Sequence, residues 1–282
     1  MEFNIIDKYF NWKNADKTII KGVGDDCAIF KNSANLVIST DTLIEGVHFF
    51  KNTNAGDIAY KSLAVNLSDI ASMGGIPKYF TLNLTLPNFD EKWLNNFSNS
   101  LKNLANAFNV SLIGGDTTKG NLSITITIIG ECENPMLRSF AKVGDGIFVS
   151  GDLGGAKLAL EQIKSGETPN RLALEKLNRP IPQIKLGQKI IANSCIDISD
   201  GLVADLGHIL KQSGVGANLE SRKIPIFKGS NLDYGLYGGD DYELCWTGKN
   251  SDYGIKIGEI TKDKELKIDG KIIDKNKGYL HF

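Results

Sequence analysis

The sequence predicts a two-domain protein of mixed α/β (α+β) class. Three observations carry the prediction. A chain of 282 residues suits two domains of about 140 residues each. Short β-favouring runs alternate with amphipathic helical segments. An aperiodic stretch containing Pro135, Gly144 and Gly146 interrupts that alternation midway. The expected domains are residues 1–137 and 138–282.

Taken in order, Leu36 to Thr40 reads as a strand that ends at Asp41. Ile58 to Met73 reads as a helix, with Ile58, Leu63, Leu67 and Ile70 at helical spacing and Gly74-Gly75 followed by Pro77 as a stop. It carries Asp69 in its last turn. A second helix runs from about Asp90 to Phe108 with Leu94, Phe97, Leu101, Leu104 and Phe108 on one face. Asp90 is its expected N-cap, supported by the staple spacing of Phe89 and Leu94. Val110 to Ile113 is a strand that breaks at Gly114-Gly115-Asp116, and Leu122 to Ile129 alternates apolar and hydroxyl residues with period two. In the second half, Ile147 to Ser150 is a strand, Ala156 to Ile163 a helix and Cys195 to Ile198 a strand. That strand leads through Ser199-Asp200-Gly201 into a helix over Leu202 to Gln212, stopped by Gly214.

Composition removes several classes of function. A hydrophobic fraction of 41% and a charged fraction of 23% are those of an ordinary globular protein. A net charge of −1 with scattered lysines gives no basic stripe, so no nucleic-acid partner is expected. No apolar run approaches the roughly 18 residues of a membrane span. The charged start, with Glu2, Asp7 and Lys8, lacks a secretory cleavage pattern, and a cytoplasmic location is expected. The four cysteines (Cys27, Cys132, Cys195, Cys245) form no Cys-x-x-Cys pair, which argues against zinc and disulfides.

The placement of the acids is the informative feature. Asp25-Asp26, Asp41, Asp69, Asp116, Asp197, Asp200 and Asp240-Asp241 nearly all lie beside glycine or at an inferred element end. An aspartate beside glycine is ordinarily a turn or cap residue. Three that each follow a short apolar strand (Asp41, Asp116, Asp197) form a repeated pattern, and clustered carboxylates call for a cation. Oxygen-only ligands point to Mg²⁺, Mn²⁺ or Ca²⁺. No 12-residue calcium loop occurs, whereas Mg²⁺ shared with a phosphate ligand suits several ions on scattered carboxylates. Gly114-Gly115 and Gly238-Gly239 allow close backbone approach, and Ser199 before a helix would offer N–H groups to a phosphate. Three histidines and no nucleophile elbow disfavour a Ser/His/Asp hydrolase. P-loop and dinucleotide-binding glycine patterns are also missing.

Six ordered blocks resemble the thiamine-monophosphate kinase family. They are Val23-Gly-Asp-Asp-Cys-Ala, Ser39-Thr-Asp-Thr-Leu with Gly46-Val-His-Phe, Ala64-Val-Asn-Leu-Ser-Asp-Ile-Ala-Ser-Met-Gly, Gly114-Gly-Asp-Thr-Thr, Ile198-Ser-Asp-Gly-Leu and Gly238-Gly-Asp-Asp-Tyr-Glu-Leu. The resemblance implies the fold shared with aminoimidazole ribonucleotide synthetase, a homodimer joined through N-terminal β-strands, and Mg²⁺-dependent transfer from ATP to thiamine monophosphate by direct in-line attack. It implies metal ligation by Asp26, Ser39, Thr40, Asp41, Asp69, Asp116, Asp197 and Asp200. It implies ATP contacts from Gly115, Asp116, Arg138 and Ser199, and substrate contacts from His48, Asp240 and Tyr279. The chain departs from the family pattern in carrying Asp240 where a glutamate is usual, and in being trimmed around Ser165 to Arg171 and after Asp252. Two rivals share these residues: a synthetase that phosphorylates an amide or carbonyl oxygen, and a nucleotide-binding protein without turnover.

Overall fold

The computed structural model describes residues 6–10, 17–21, 29–30, 35–274 and 277–278. The chain divides into two compact units, residues 1–70 with 75–133 and residues 71–74 with 134–282. Among the described residues no helix is long and apolar enough to cross a membrane.

The first unit holds a short ribbon of β1 (Ile19–Lys21) and β2 (Ile29–Phe30) and a four-stranded sheet. The sheet is formed by β3 (Leu36–Ile44), β4 (Ile76–Leu86), β5 (Ser111–Lys119) and β6 (Ser123–Glu131), in the order β3-β6-β4-β5. The β3/β6 and β6/β4 pairs are antiparallel and β4/β5 is parallel. Helices α1 (Ala55–Ser72) and α2 (Glu91–Ala107) supply the apolar cover. Period two on β6 buries Ile124, Ile126 and Ile128 completely on one face, as its alternating sequence predicts. The N-cap of α2 is Asp90, whose Oδ1 accepts the Trp93 N–H at 3.0 Å.

Two strands run further than the sequence suggests. The β3 strand does not end at Asp41 but continues to Ile44, because Thr40 and Thr42 hydrogen-bond across the ladder to Thr127 (2.9 Å) and Thr125 (2.8 Å). The β5 strand likewise passes through Gly114-Gly115-Asp116 to Lys119. A register shift after Phe80 admits this, and Gly115 takes φ 144° where a Cβ would lie 1.8 Å from the Leu82 carbonyl oxygen. The strand β4 is unassigned in the sequence reading. Its Pro77 sits where the β4/β6 ladder shifts register, a position that tolerates proline.

The second unit is built on a seven-stranded mixed sheet in the order β13-β12-β9-β11-β7-β10-β8. Its strands are β7 (Gly146–Val149), β8 (Ser194–Asp197), β9 (Gly216–Leu219), β10 (Leu244–Gly248), β11 (Ile255–Thr261), β12 (Leu266–Ile268) and β13 (Lys271–Ile273). Helices α3 (Gly155–Lys164), α4 (Arg171–Asn178), α5 (Ile184–Gly187), α6 (Leu202–Ser213) and α7 (Leu232–Tyr237) complete it. Every pair in this sheet is antiparallel except β12/β9. The apolar face of α6 (Leu202, Val203, Leu206, Ile209, Leu210) packs into the core with Ile147, Val149 and Ile196. Gly214 closes α6 in the left-handed conformation, as its position predicts. Cys195 and Cys245 are fully buried, and burial pushes both thiols up, which leaves them unreactive packing residues.

Candidate active site

In the first unit, alternation along β3 sets which groups can meet. Ser39 pairs with Ile128, Asp41 with Ile126 and Leu43 with Ile124, so these three occupy the helix-covered face. Asp69 comes down to that face from α1, and the Ser39 hydroxyl donates to its Oδ2 at 2.5 Å. One turn earlier on the same side of α1, Asn66 is fully buried. Its Nδ2 donates to the Ser62 carbonyl at 2.9 Å, and its Oδ1 has no hydrogen-bond partner. Ser39, Asp41 and Asp69 are therefore brought to one face, with an orphaned amide oxygen in the adjoining turn.

Thr40 lies on the opposite, open face in register with Thr127. Asp116 shares that face. It pairs with Asn83, which pairs with Thr125, and its Oδ1 accepts its neighbour's N–H, from Thr117, at 2.8 Å. Strands β3 and β5 are the two edges of this sheet, so Gly115 and Asp116 are separated from Ser39 and Asp69 by two strands. His48 sits in the turn after β3, half-buried. Its Nδ1 accepts the Ile44 N–H at 3.0 Å, which assigns the ring proton to Nε2. The buried Lys61 of α1 donates to the His48 carbonyl at 3.4 Å. Asp26 and Tyr279 lie outside the described residues.

In the second unit, Asp197 ends β8 and is 4% exposed, and Ser199 and Asp200 follow in the turn before α6. This turn is fastened to the segment 238–243. Asp240 N–H donates to the Ser199 carbonyl, Tyr242 N–H to that of Ile198, and Ile198 N–H to that of Glu243, all at 2.8 Å. Gly239 makes the approach possible: at φ 67° a Cβ there would stand 2.5 Å from the Ser199 oxygen. Gly278 packs against the Asp200 backbone. Arg138 is exposed, and its carbonyl accepts the Ser213 hydroxyl at 2.9 Å. That anchor is at the far end of α6 from Ser199, about 18 Å away by helix rise.

Sequence reasoning missed Asp205. It lies in the first turn of α6, 2% exposed, and its Oδ2 accepts the N–H groups of Asp200 (3.0 Å) and Gly201 (3.1 Å). Those two amides of the turn that holds Ser199 are consequently taken by a side chain. The reach back from a first-turn carboxylate to the preceding amides is a capping pattern that the spacing could have revealed. Burial, with the nearby charges of Asp197 and Asp200, pushes the Asp205 carboxyl well above the usual carboxylate range. Ligand atoms of Asp200, Asp205 and His208 lie within 4.8 Å of one another.

The donor set fits a hard divalent cation in both units. Carboxylate and hydroxyl oxygens gather at Ser39 and Asp69, the Asn66 oxygen is unsatisfied, and Asp197, Asp200 and Asp205 crowd like charges that a cation would relieve.

The description "AIR synthase related protein, N-terminal domain" matches residues 24–132, and "AIR synthase related protein, C-terminal domain" matches residues 142–245. The thiamine-monophosphate kinase of Buchnera aphidicola subsp. Schizaphis graminum is 45% identical, covering 100% of this chain and 98% of that relative. The crystal structure of thiamine-monophosphate kinase from Stenotrophomonas maltophilia K279a superposes with a TM-score of 0.86 at 37% identity, covering 92% of this chain and 93% of that one. The structure of AaThiL complexed with AMPPCP and TMP gives 0.82 at 31% identity, covering 88% and 87%. By sequence and by fold, the chain belongs to the AIR synthase related proteins and, among them, to the thiamine-monophosphate kinase family.

Proposed function

We propose that this protein catalyses the ATP-dependent phosphorylation of thiamine monophosphate to thiamine diphosphate. The observation that carries the reading is the pair of aspartate-bearing segments 197–200 and 238–243, fastened together by backbone hydrogen bonds. They occur in a chain 31% identical to AaThiL, a protein solved with TMP and with AMPPCP, an ATP analogue. Asp26, Ser39, Thr40, Asp41, Asp69, Asp116, Asp197 and Asp200 would hold Mg²⁺. Gly115, Asp116, Arg138 and Ser199 would take ATP, and His48, Asp240 and Tyr279 the substrate. When bound, Mg²⁺ supplies charge neutralisation between the ATP phosphates and the acceptor phosphate.

The acceptor is a phosphate monoester with a second pKa near ~6, already largely a dianion at neutral pH, so no residue has to remove its proton. Positioning is then the protein's main contribution. His48 suits that role: its Nδ1 is occupied by the Ile44 N–H, and its Nε2–H is a donor suited to an anionic oxygen.

The reading assigns ATP and Mg²⁺ binding and dimerisation to residues 1–137, takes residues 138–282 as a C-terminal α/β domain, and places the enzyme in the cytoplasm. Support for a homodimer comes from the open face of β3, where Leu36, Ile38 and Ile44 are 41%, 62% and 40% exposed on an edge strand. Incubation with Mg·ATP and thiamine monophosphate should yield thiamine diphosphate and ADP in equal amounts. ATP binding without that product would overturn the reading.

A further inference from the structure

The segment 240–243 alternates in a way the proposed chemistry does not use. Asp240 and Tyr242 adopt positive φ of 59° and 51° and are half-buried, whereas Asp241 and Glu243 are 3% and 4% exposed. A left-handed backbone at two non-glycine residues is strained and persists only where the surroundings hold it. The holding groups are all in the second unit. Both Asp241 carboxylate oxygens accept the Gly154 N–H, at 3.0 and 2.9 Å, which ties the segment to the N-cap of α3. Glu243 accepts from Lys176 Nζ at 2.8 Å, from Gln183 Nε2 at 3.2 Å and from the Ser150 hydroxyl. Lys176 belongs to α4, an element that carries none of the residues assigned above.

We infer that Lys176 and Glu243 are positioning residues for thiamine monophosphate: their ion pair sets the strained Asp240–Tyr242 backbone that presents the Asp240 carboxylate beside the Ser199 turn. The inference rests on the phosphotransferase reading. The pair stands directly behind the strained residues, since Glu243 shares the backbone bond to Ile198 while Asp240 is bonded to Ser199, one residue further on. A buried ion pair is a poor source of net stability and can often be exchanged as a pair for apolar residues at little cost. Removal of the pair is therefore expected to move substrate affinity and to leave the fold intact.

The test is the pair variant Lys176→Met/Glu243→Met, with Lys176→Arg as the conservative control. Melting temperature, kcat and the KM for each substrate are measured beside the wild type. Expected are a melting temperature within a few degrees of wild type, a KM for thiamine monophosphate raised about tenfold or more, and kcat and the KM for Mg·ATP within about threefold. Lys176→Arg should stay within about twofold of wild type throughout. A folded pair variant with unchanged KM for thiamine monophosphate overturns the inference, as does a parallel loss in both KM values and kcat. Should the pair variant not fold, single Lys176→Gln is judged by the same ratio of the two KM changes. A wild-type protein that makes no thiamine diphosphate would sink the underlying reading, and this inference with it.

Discussion

Asp241 shows how one residue can record the demands of its surroundings. Burial is the largest influence and pushes its carboxyl from the ordinary 3.8 up to about 7. The Gly154 N–H and Lys176 favour the charged form, while Glu243 and Asp240 oppose it. Between pH 4 and 7 the folded protein holds a proton that the unfolded chain has released. The associated stability is complete below the unfolded value and is lost as pH rises toward 7. Asp241→Asn cannot ionise, so its melting temperature should gain on wild type from pH 5 to pH 8, by an amount worth a few kcal/mol at most. A gap that is the same at both pH values would show that Asp241 titrates normally. On the covered face of β3, Asp41→Asn removes the charge of a proposed Mg²⁺ ligand from a strand residue whose neighbours stay paired. Turnover should fall by at least about a hundredfold with little change in melting temperature. Near-normal activity in the folded variant would rule this position out as a ligand. Asp41 and Asp241 stand out in the sequence because a short apolar run precedes the first and paired glycines precede the second. Asp205 does not, because its partners are backbone amides, which carry no sequence letter.

At the scale of elements, the sequence was most legible where the signal is local. Helix α2 combines a cap with an apolar stripe, of which Leu94, Phe97, Leu101 and Leu104 are at most 4% exposed, while Phe108 is the half-buried C-cap. Asp90→Ala leaves the Trp93 N–H without its acceptor and should cost about 1 kcal/mol, read as a lower urea midpoint with an unchanged slope. An unaltered midpoint would mean that packing alone fixes this helix start. Strand extents were less legible because ladders are made by distant partners. Asp41 and Gly114-Gly115-Asp116 look like breakers in isolation, yet β6 holds β3 through two threonine pairs and β4 holds β5 through a parallel register with one bulge. The short strands β9, β12 and β13 are legible only as members of the larger sheet, since three or four residues carry no period of their own. His48 belongs to this scale too, because the turn after β3 fixes its ring through Ile44. His48→Asn should raise the KM for thiamine monophosphate and leave kcat within about tenfold. A kcat loss beyond about a hundredfold at unchanged KM would place it in the chemical step.

At the scale of the whole molecule, composition limited the fold class, and the ordered motifs pointed to a family whose resemblance implies a homodimer. The first unit supplies the physical argument. Its sheet has one face covered by α1 and α2 and another that displays Leu36, Ile38 and Ile44 along an edge strand of nine residues. An open apolar edge invites pairing with another chain unless it is blocked, and a second copy of the same surface is the partner always present. The pair Thr42 with Thr125 bonds side chain to side chain and so can enter an interface without leaving those hydroxyls unsatisfied. The protein should therefore run at twice the single-chain mass at micromolar concentration in light scattering or sedimentation. Ile38, opposite Ile129 and 62% exposed, is the residue to test. Ile38→Lys places a charge in the middle of the apolar strip, where burial without a partner is costly. It should shift the mass to that of one chain while the melting transition remains cooperative. A wild-type mass of one chain, or a dimer undisturbed by Ile38→Lys, would show that this face is not the contact between copies.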